Sequence, residues 1–101
     1  MGQILENGYE LKTTFWSDFT IADAFGVDAI KDTYNRAFNE WKHDHIYITE
    51  LCMVMNWKMF QWFEKDDSKY QTYYELFTTL DEWCMDNLKG EQLEYFIATT
   101  D

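Results

Sequence analysis

The sequence contains no proline, only two cysteines, and eight Lys or Arg residues against nineteen Asp or Glu residues. Cys52 and Cys84 are too few for a disulfide-stabilised scaffold, so we expect a protein of the reducing cytoplasm. No apolar run approaches the roughly 18 residues of a membrane span, and the first residues lack the basic and then apolar pattern of a signal peptide. These absences argue against membrane-spanning proteins and disulfide-rich secreted proteins.

The shortage of basic residues leaves a formal net charge of −11. Such a chain repels phosphate groups and anionic lipids, so we expect neither direct nucleic-acid binding nor membrane binding. Hydrophobic residues make up 47% of the chain, and aromatic residues alone 20%, which is enough for a packed core. Two separate cores would leave only about fifty residues each, so residues 1–101 are predicted to form one acidic domain.

The chain is predicted to start with a short β-hairpin within residues 1–15. Asn7 and Gly8 lie between two short arms in which apolar residues alternate, and this dipeptide tolerates the positive φ angles of a type I′ turn. The rest of the chain, residues 17–98, has the apolar spacing of helices. We expect helices at residues 18–25 (capped by Ser17), 28–42, 46–64, 68–88 (opened by an S-x-x-Q capping box at Ser68) and 91–98. The predicted fold class is mainly α, a small bundle of four to five helices with a short N-terminal β-hairpin.

The third predicted helix is apolar on two sides. Its main stripe faces a core, whereas Met53, Trp57 and Phe60 fall together on the opposite side at 100° per residue. A helix of this kind is either central to a bundle or buried against another chain. The sequence leaves both possibilities open, with Met53, Trp57 and Phe60 as a possible interface.

Negative charge is concentrated near the end of the chain. Residues 75–101 hold seven acidic residues and one basic residue, Lys89. Glu75, Glu82 and Asp86 lie within about 40° of one another on the fourth predicted helix, opposite its apolar stripe and separated by roughly 10 and 6 Å along the axis. Glu91 and Glu94 extend the negative region beyond the next turn.

Two interpretations of this acidic cluster remain open. It is either a solvated face that keeps an aromatic-rich protein soluble, or a surface that binds a basic partner. Carboxylates at intervals of several ångströms on a rigid helix present a row of negative charge, as a nucleic-acid strand does. Holding like charges together without nearby lysines costs stability, which favours use of the surface in binding.

Catalytic and metal-binding signals are weak, so we predict that the chain is not an enzyme and uses neither a metal nor another cofactor. His43 and His45 flank Asp44 in a predicted connector, but this H-x-H pattern lacks the spacing of a helical zinc site. Cys52 and Cys84 fall on apolar stripes, where a cysteine behaves as a small hydrophobic residue. There is no glycine-rich phosphate loop and no G-x-S-x-G motif.

Four segments resemble small acidic proteins of phages and conjugative elements in Gram-positive gut bacteria. They are TTFWSDFTIAD at residues 13–23, GVDAIKDTY at 26–34, AFNEW at 37–41 and NLKG at 87–90. The resemblance carries no catalytic motif, and it implies a bacterial host cell as the setting. Small acidic proteins on such elements are often similar to anti-CRISPR or antirestriction inhibitors, which occupy the nucleic-acid channel of a defence enzyme.

Two functional hypotheses follow. The first is an acidic, DNA-mimicking inhibitor that binds a basic nucleic-acid-binding protein, such as a Cas9-type CRISPR effector, through Glu75, Glu82, Asp86, Glu91 and Glu94. The second is a non-enzymatic helical interaction module that forms a homodimer or docks a helix through an apolar face. The two hypotheses are compatible, because a homodimer would present the acidic surface twice.

Overall fold

A computed structural model of the chain describes residues 3–100. This part of the chain folds into five helices, which confirms the prediction of a small helical bundle. They are α1 (Phe15–Phe25), α2 (Val27–Trp41), α3 (His45–Trp62), α4 (Asp67–Asn87) and α5 (Gly90–Thr100). Buried apolar side chains of the N-terminal segment and of all five helices form one core.

The predicted N-terminal β-hairpin is wrong: no strand occurs within residues 3–100. A turn around Gly8 brings Ile4 and Glu10 together in one isolated antiparallel bridge. The Leu11 N–H still donates to the Gln3 carbonyl oxygen at 2.8 Å, and beyond it the N–H groups of Lys12 and Thr13 donate to the buried carboxylate of Glu50. The segment is therefore held to the bundle by a side chain of α3 and not by a ladder of backbone hydrogen bonds.

Helix α1 begins three residues earlier than predicted. Phe15 is already helical and lies in the core, whereas Ser17, the predicted N-cap, is an exposed residue inside the helix. The helix ends at Phe25, and the next residue, Gly26, has a φ of 111°. Residues with a side chain rarely adopt this backbone conformation. Glycine at this position therefore allows α2 to begin directly after α1, without an intervening loop.

Helix α3 is the centre of the bundle, and it packs against each of the other four helices. Its N-terminus is capped by the Asp44 carboxylate, which accepts hydrogen bonds from the backbone N–H groups of Ile46 and Tyr47 at 3.0 and 3.1 Å. Surrounding helices bury α3 on more than one side, and this accounts for its two apolar faces.

Helix α4 begins at Asp67, and its N-cap is Asp66. The Asp66 carboxylate accepts from the backbone N–H of Lys69, so the predicted capping box at Ser68 is wrong. Tyr73 is completely buried, whereas its neighbour Tyr74 is exposed. The helix face that contains Thr72 and Tyr73 is buried in the core, and Tyr74 therefore lies at the surface.

No helix within residues 3–100 is both long enough and apolar enough to cross a membrane.

Candidate functional site

The acidic residues predicted to bind a partner all lie at the surface of α4 and α5. All five are exposed to solvent: Glu75, Glu82, Asp86, Glu91 and Glu94. Helix α4 packs into the core through Tyr73, Leu80 and Cys84, which are completely buried. The carboxylates are thus carried on a fixed helical scaffold, as the sequence pattern predicts.

These five carboxylates have no cationic partner within residues 3–100. The ion pairs of that range join Lys58 to Asp23 and Lys69 to Asp66, neither of which involves the acidic surface. Lys89, the basic residue nearest in sequence, donates to the backbone carbonyl oxygen of Asp86 at 2.9 Å. The negative charge of this surface is therefore left uncompensated by the described part of the chain.

The predicted apolar interface is divided between the core and the surface. Met53 is 3% exposed and is a core residue, so it is not available to a partner. Trp57 is partly buried and packs against the core, and its ring lies 5.9 Å from that of Phe60. Phe60 is 56% exposed. Central packing thus explains Met53 and part of Trp57, while Phe60 faces solvent.

A buried carboxylate that the sequence analysis did not single out joins α3 to the N-terminal segment. Glu50 is completely buried and accepts hydrogen bonds from the backbone N–H groups of Lys12 and Thr13 at 2.9–3.1 Å. The hydroxyl groups of Thr13 and Tyr9 donate to the same carboxylate at 3.1 and 2.9 Å. These donors compensate the buried negative charge of Glu50. The carboxylate therefore anchors the N-terminal segment to α3.

A second buried polar cluster joins α1, α3 and α4. The Lys58 ammonium lies 2.9 Å from the Asp23 carboxylate and 2.8 Å from the Thr20 hydroxyl oxygen, and it sits 4.5 Å from the centre of the Trp16 ring. The Tyr73 hydroxyl donates to the other oxygen of Asp23. Burial lowers the pKa of Lys58, while the hydrogen bond and charge of Asp23 oppose that shift. Every polar member has a partner, so the cluster holds three helices together and has no free group for chemistry.

Burial raises the pKa of three of the seven tyrosines, Tyr9, Tyr34 and Tyr73, with that of Tyr34 reaching about 12. Their folded-state pKa values exceed the ordinary value of 10.0, so their contribution to stability is fully present below pH 10 and is lost as the pH rises further. We expect these three to ionise only as the chain unfolds in alkali. Ultraviolet absorbance of tyrosinate, followed together with circular dichroism, measures this. Ionisation of all seven at ordinary pH values in the folded protein would contradict it.

The histidines and cysteines do not form a reactive group. His43 is exposed, whereas His45 opens α3 with its ring 5.4 Å from that of Tyr95. Cys52 and Cys84 are buried free thiols, and burial raises the pKa of Cys84 to about 12. Within residues 3–100, no three His, Cys, Asp or Glu side chains are grouped so that they could hold a metal ion.

No protein-family model, curated protein or solved structure matches the chain.

Proposed function

We propose that the chain is a non-enzymatic, protein-binding inhibitor whose acidic α4–α5 surface occupies the cationic channel of a nucleic-acid-binding defence enzyme. The observation that carries this proposal is the exposure of Glu75, Glu82, Asp86, Glu91 and Glu94 without a cationic partner in the described chain. The resemblance to small acidic proteins of Gram-positive phages points to a CRISPR effector of the Cas9 type as the first candidate partner. The host cytoplasm is the corresponding location.

The chemistry of the two surfaces is complementary. A channel that holds a nucleic-acid strand presents Lys and Arg side chains to phosphate oxygens, and carboxylate oxygens accept the same charge-assisted hydrogen bonds. Attraction between a net charge of −11 and such a channel would accelerate association. Binding would therefore weaken steeply as salt screens the charges.

Rigidity of the scaffold also supports the proposal. Helix α4 spans 21 residues, and α5 is anchored by Phe96, which is 1% exposed. The row of carboxylates is consequently set before binding, and a preorganised surface loses less conformational entropy on association than a flexible acidic tail would.

The proposal predicts that neutralising this surface, and not merely reducing the net charge, abolishes binding. In the test variant, Glu75→Gln, Glu82→Gln and Asp86→Asn remove three charges with little change of shape. The matched control makes the same change on α2, with Asp28→Asn, Asp32→Asn and Glu40→Gln, at residues that are also exposed. We expect the affinity for a purified Cas9–guide complex to fall on the order of 100-fold in the first variant and to change little in the second.

Surface plasmon resonance at low and high salt measures both variants, alongside a restriction endonuclease as a second candidate partner. Equal affinities of wild type and both variants for a partner that does bind would reject the acidic surface. Equal weakening by both variants would show that net charge alone matters, and it would also reject a defined binding site.

A further inference from the structure

An open, aromatic cleft lies between the N-terminal segment, α1 and the C-terminal half of α3. Its volume is about 520 Å3, and its lining includes Trp16, Trp57 and Phe60. Ile4 also lines the cleft, and both Ile4 and Phe60 are 56% exposed. Large apolar side chains exposed next to one another are typical of an interaction site.

The lining contains a buried polar atom without a partner. The side-chain oxygen of Gln61 is inaccessible to solvent and accepts no hydrogen bond from residues 3–100. A buried acceptor left unpaired is unfavourable, so Gln61 is a locally destabilising member of the cleft wall.

Residues of opposite charge also line the cleft. Glu6 and Lys65 both line it, both are exposed, and neither forms an ion pair within the described residues. In a two-fold symmetric contact, if residue i of one copy contacts residue j of the other, then residue j of the first copy contacts residue i of the second. Each copy of the chain would place its Lys65 against the Glu6 of the other, so these charges complement a second copy of the same cleft.

We propose that two copies of the chain form a symmetric dimer through this cleft, with Phe60 of each copy entering the cleft of the other. The net charge of −11 opposes contact between copies over most of the surface. The cleft combines exposed apolar area with one charge of each sign. Association at this site would therefore persist at high salt, in contrast to the binding of a basic partner.

The dimer is independent of the proposed inhibitory function. None of the acidic residues of α4 and α5 lines the cleft, so the acidic surface stays open when the cleft is closed. The assembly would then present two acidic surfaces.

The first test compares two exposed phenylalanines. Phe60→Glu places a charge in the cleft, while Phe25→Glu makes the same change at a residue of α1 that is 79% exposed and lies outside the cleft. Sedimentation velocity over a concentration series should show a dimer for wild type and Phe25→Glu, and a dissociation constant raised on the order of 100-fold for Phe60→Glu. Circular dichroism verifies that both variants are folded.

The second test exchanges the charges. Glu6→Lys and Lys65→Glu should each weaken the dimer about tenfold, because each puts like charges opposite one another. The double variant should restore it, since opposite charges then meet again. A wild-type chain that stays monomeric at the highest concentration, a dimer that survives Phe60→Glu, or a double variant no tighter than the single variants would overturn the proposal.

Discussion

Replacement of Glu50 by alanine is expected to remove about 3–5 kcal/mol from the free energy of unfolding. The substitution leaves two backbone N–H groups and the hydroxyl groups of Tyr9 and Thr13 without their buried acceptor. Domains of this size unfold with about 5–15 kcal/mol, so the loss is a large fraction of the total. Denaturant unfolding followed by tryptophan fluorescence measures the change.

Glu50→Ala should destabilise the N-terminal segment more than the rest of the chain. The backbone N–H groups of Lys12 and Thr13 donate directly to Glu50, so they should exchange with deuterium much faster in the variant. Glu40→Ala on the exposed side of α2 is the matched control and should leave stability unchanged. A Glu50→Ala protein as stable as the control would contradict the anchoring role.

The second large loss of stability is expected on replacement of Lys58. Lys58→Met keeps the length and apolar stem of the side chain but removes the ammonium from Asp23, which is itself 6% exposed. An unpaired buried carboxylate is expensive, so we expect a loss of about 3–5 kcal/mol of unfolding free energy. Chemical denaturation of the single variant measures it.

A double-mutant cycle separates the ion pair from the packing around it. Asp23→Leu combined with Lys58→Met removes both charges, and such apolar replacements of a buried pair are often close to neutral. Every member of the cycle, including the reference, carries Tyr73→Phe, so that Asp23→Leu does not leave the tyrosine hydroxyl without its acceptor. The combined variant should be more stable than Lys58→Met alone. If it is less stable by the sum of the separate losses, then Asp23 and Lys58 are not coupled.

Apolar periodicity predicted the helices that bury one face. Helix α2 was expected at residues 28–42 and spans Val27–Trp41, with Ile30, Tyr34 and Ala37 buried as the spacing requires. The start of α4 could not be placed in the same way. Ser68 and Asp66 both offer a capping oxygen, and only the folded backbone determines that Asp66 reaches the N–H of Lys69.

The predicted hairpin is reduced to a turn and one isolated bridge, and a distant side chain binds the backbone that follows. Asn7 and Gly8 do form a turn, and the bond from Leu5 N–H to the Tyr9 carbonyl oxygen begins a ladder. A second bond runs from the Leu11 N–H to the Gln3 carbonyl oxygen, and beyond it the N–H groups of Lys12 and Thr13 donate to Glu50. A contact across nearly forty residues is invisible to local pattern, which reports only the turn.

The buried charges left a partial signal in the sequence. Glu50 and Lys58 are the only Asp, Glu, Lys or Arg residues in α3, whose other positions are largely apolar. Isolated charged residues in a helix that is surrounded by other helices are expected to be buried and paired with polar groups. Their partners, such as Asp23 and Tyr9, lie more than thirty positions away and could not be assigned before the fold was known.

The exposure of the acidic surface followed directly from helical geometry. Glu75, Glu82 and Asp86 were placed opposite the stripe that buries Leu80 and Cys84, and the structure has them exposed. Their lack of cationic partners could not be predicted, because a lysine remote in sequence can approach any surface. The role of the surface in binding remains a proposal.

Competition with DNA tests the central claim most directly. A labelled DNA target is bound to a Cas9–guide complex, and the chain is added in increasing amounts at constant salt while fluorescence anisotropy reports the bound DNA. We expect mutually exclusive binding, in which wild-type chain displaces the DNA and the Glu75→Gln, Glu82→Gln, Asp86→Asn variant does not. A stable ternary assembly that retains both DNA and chain would contradict occupation of the nucleic-acid channel.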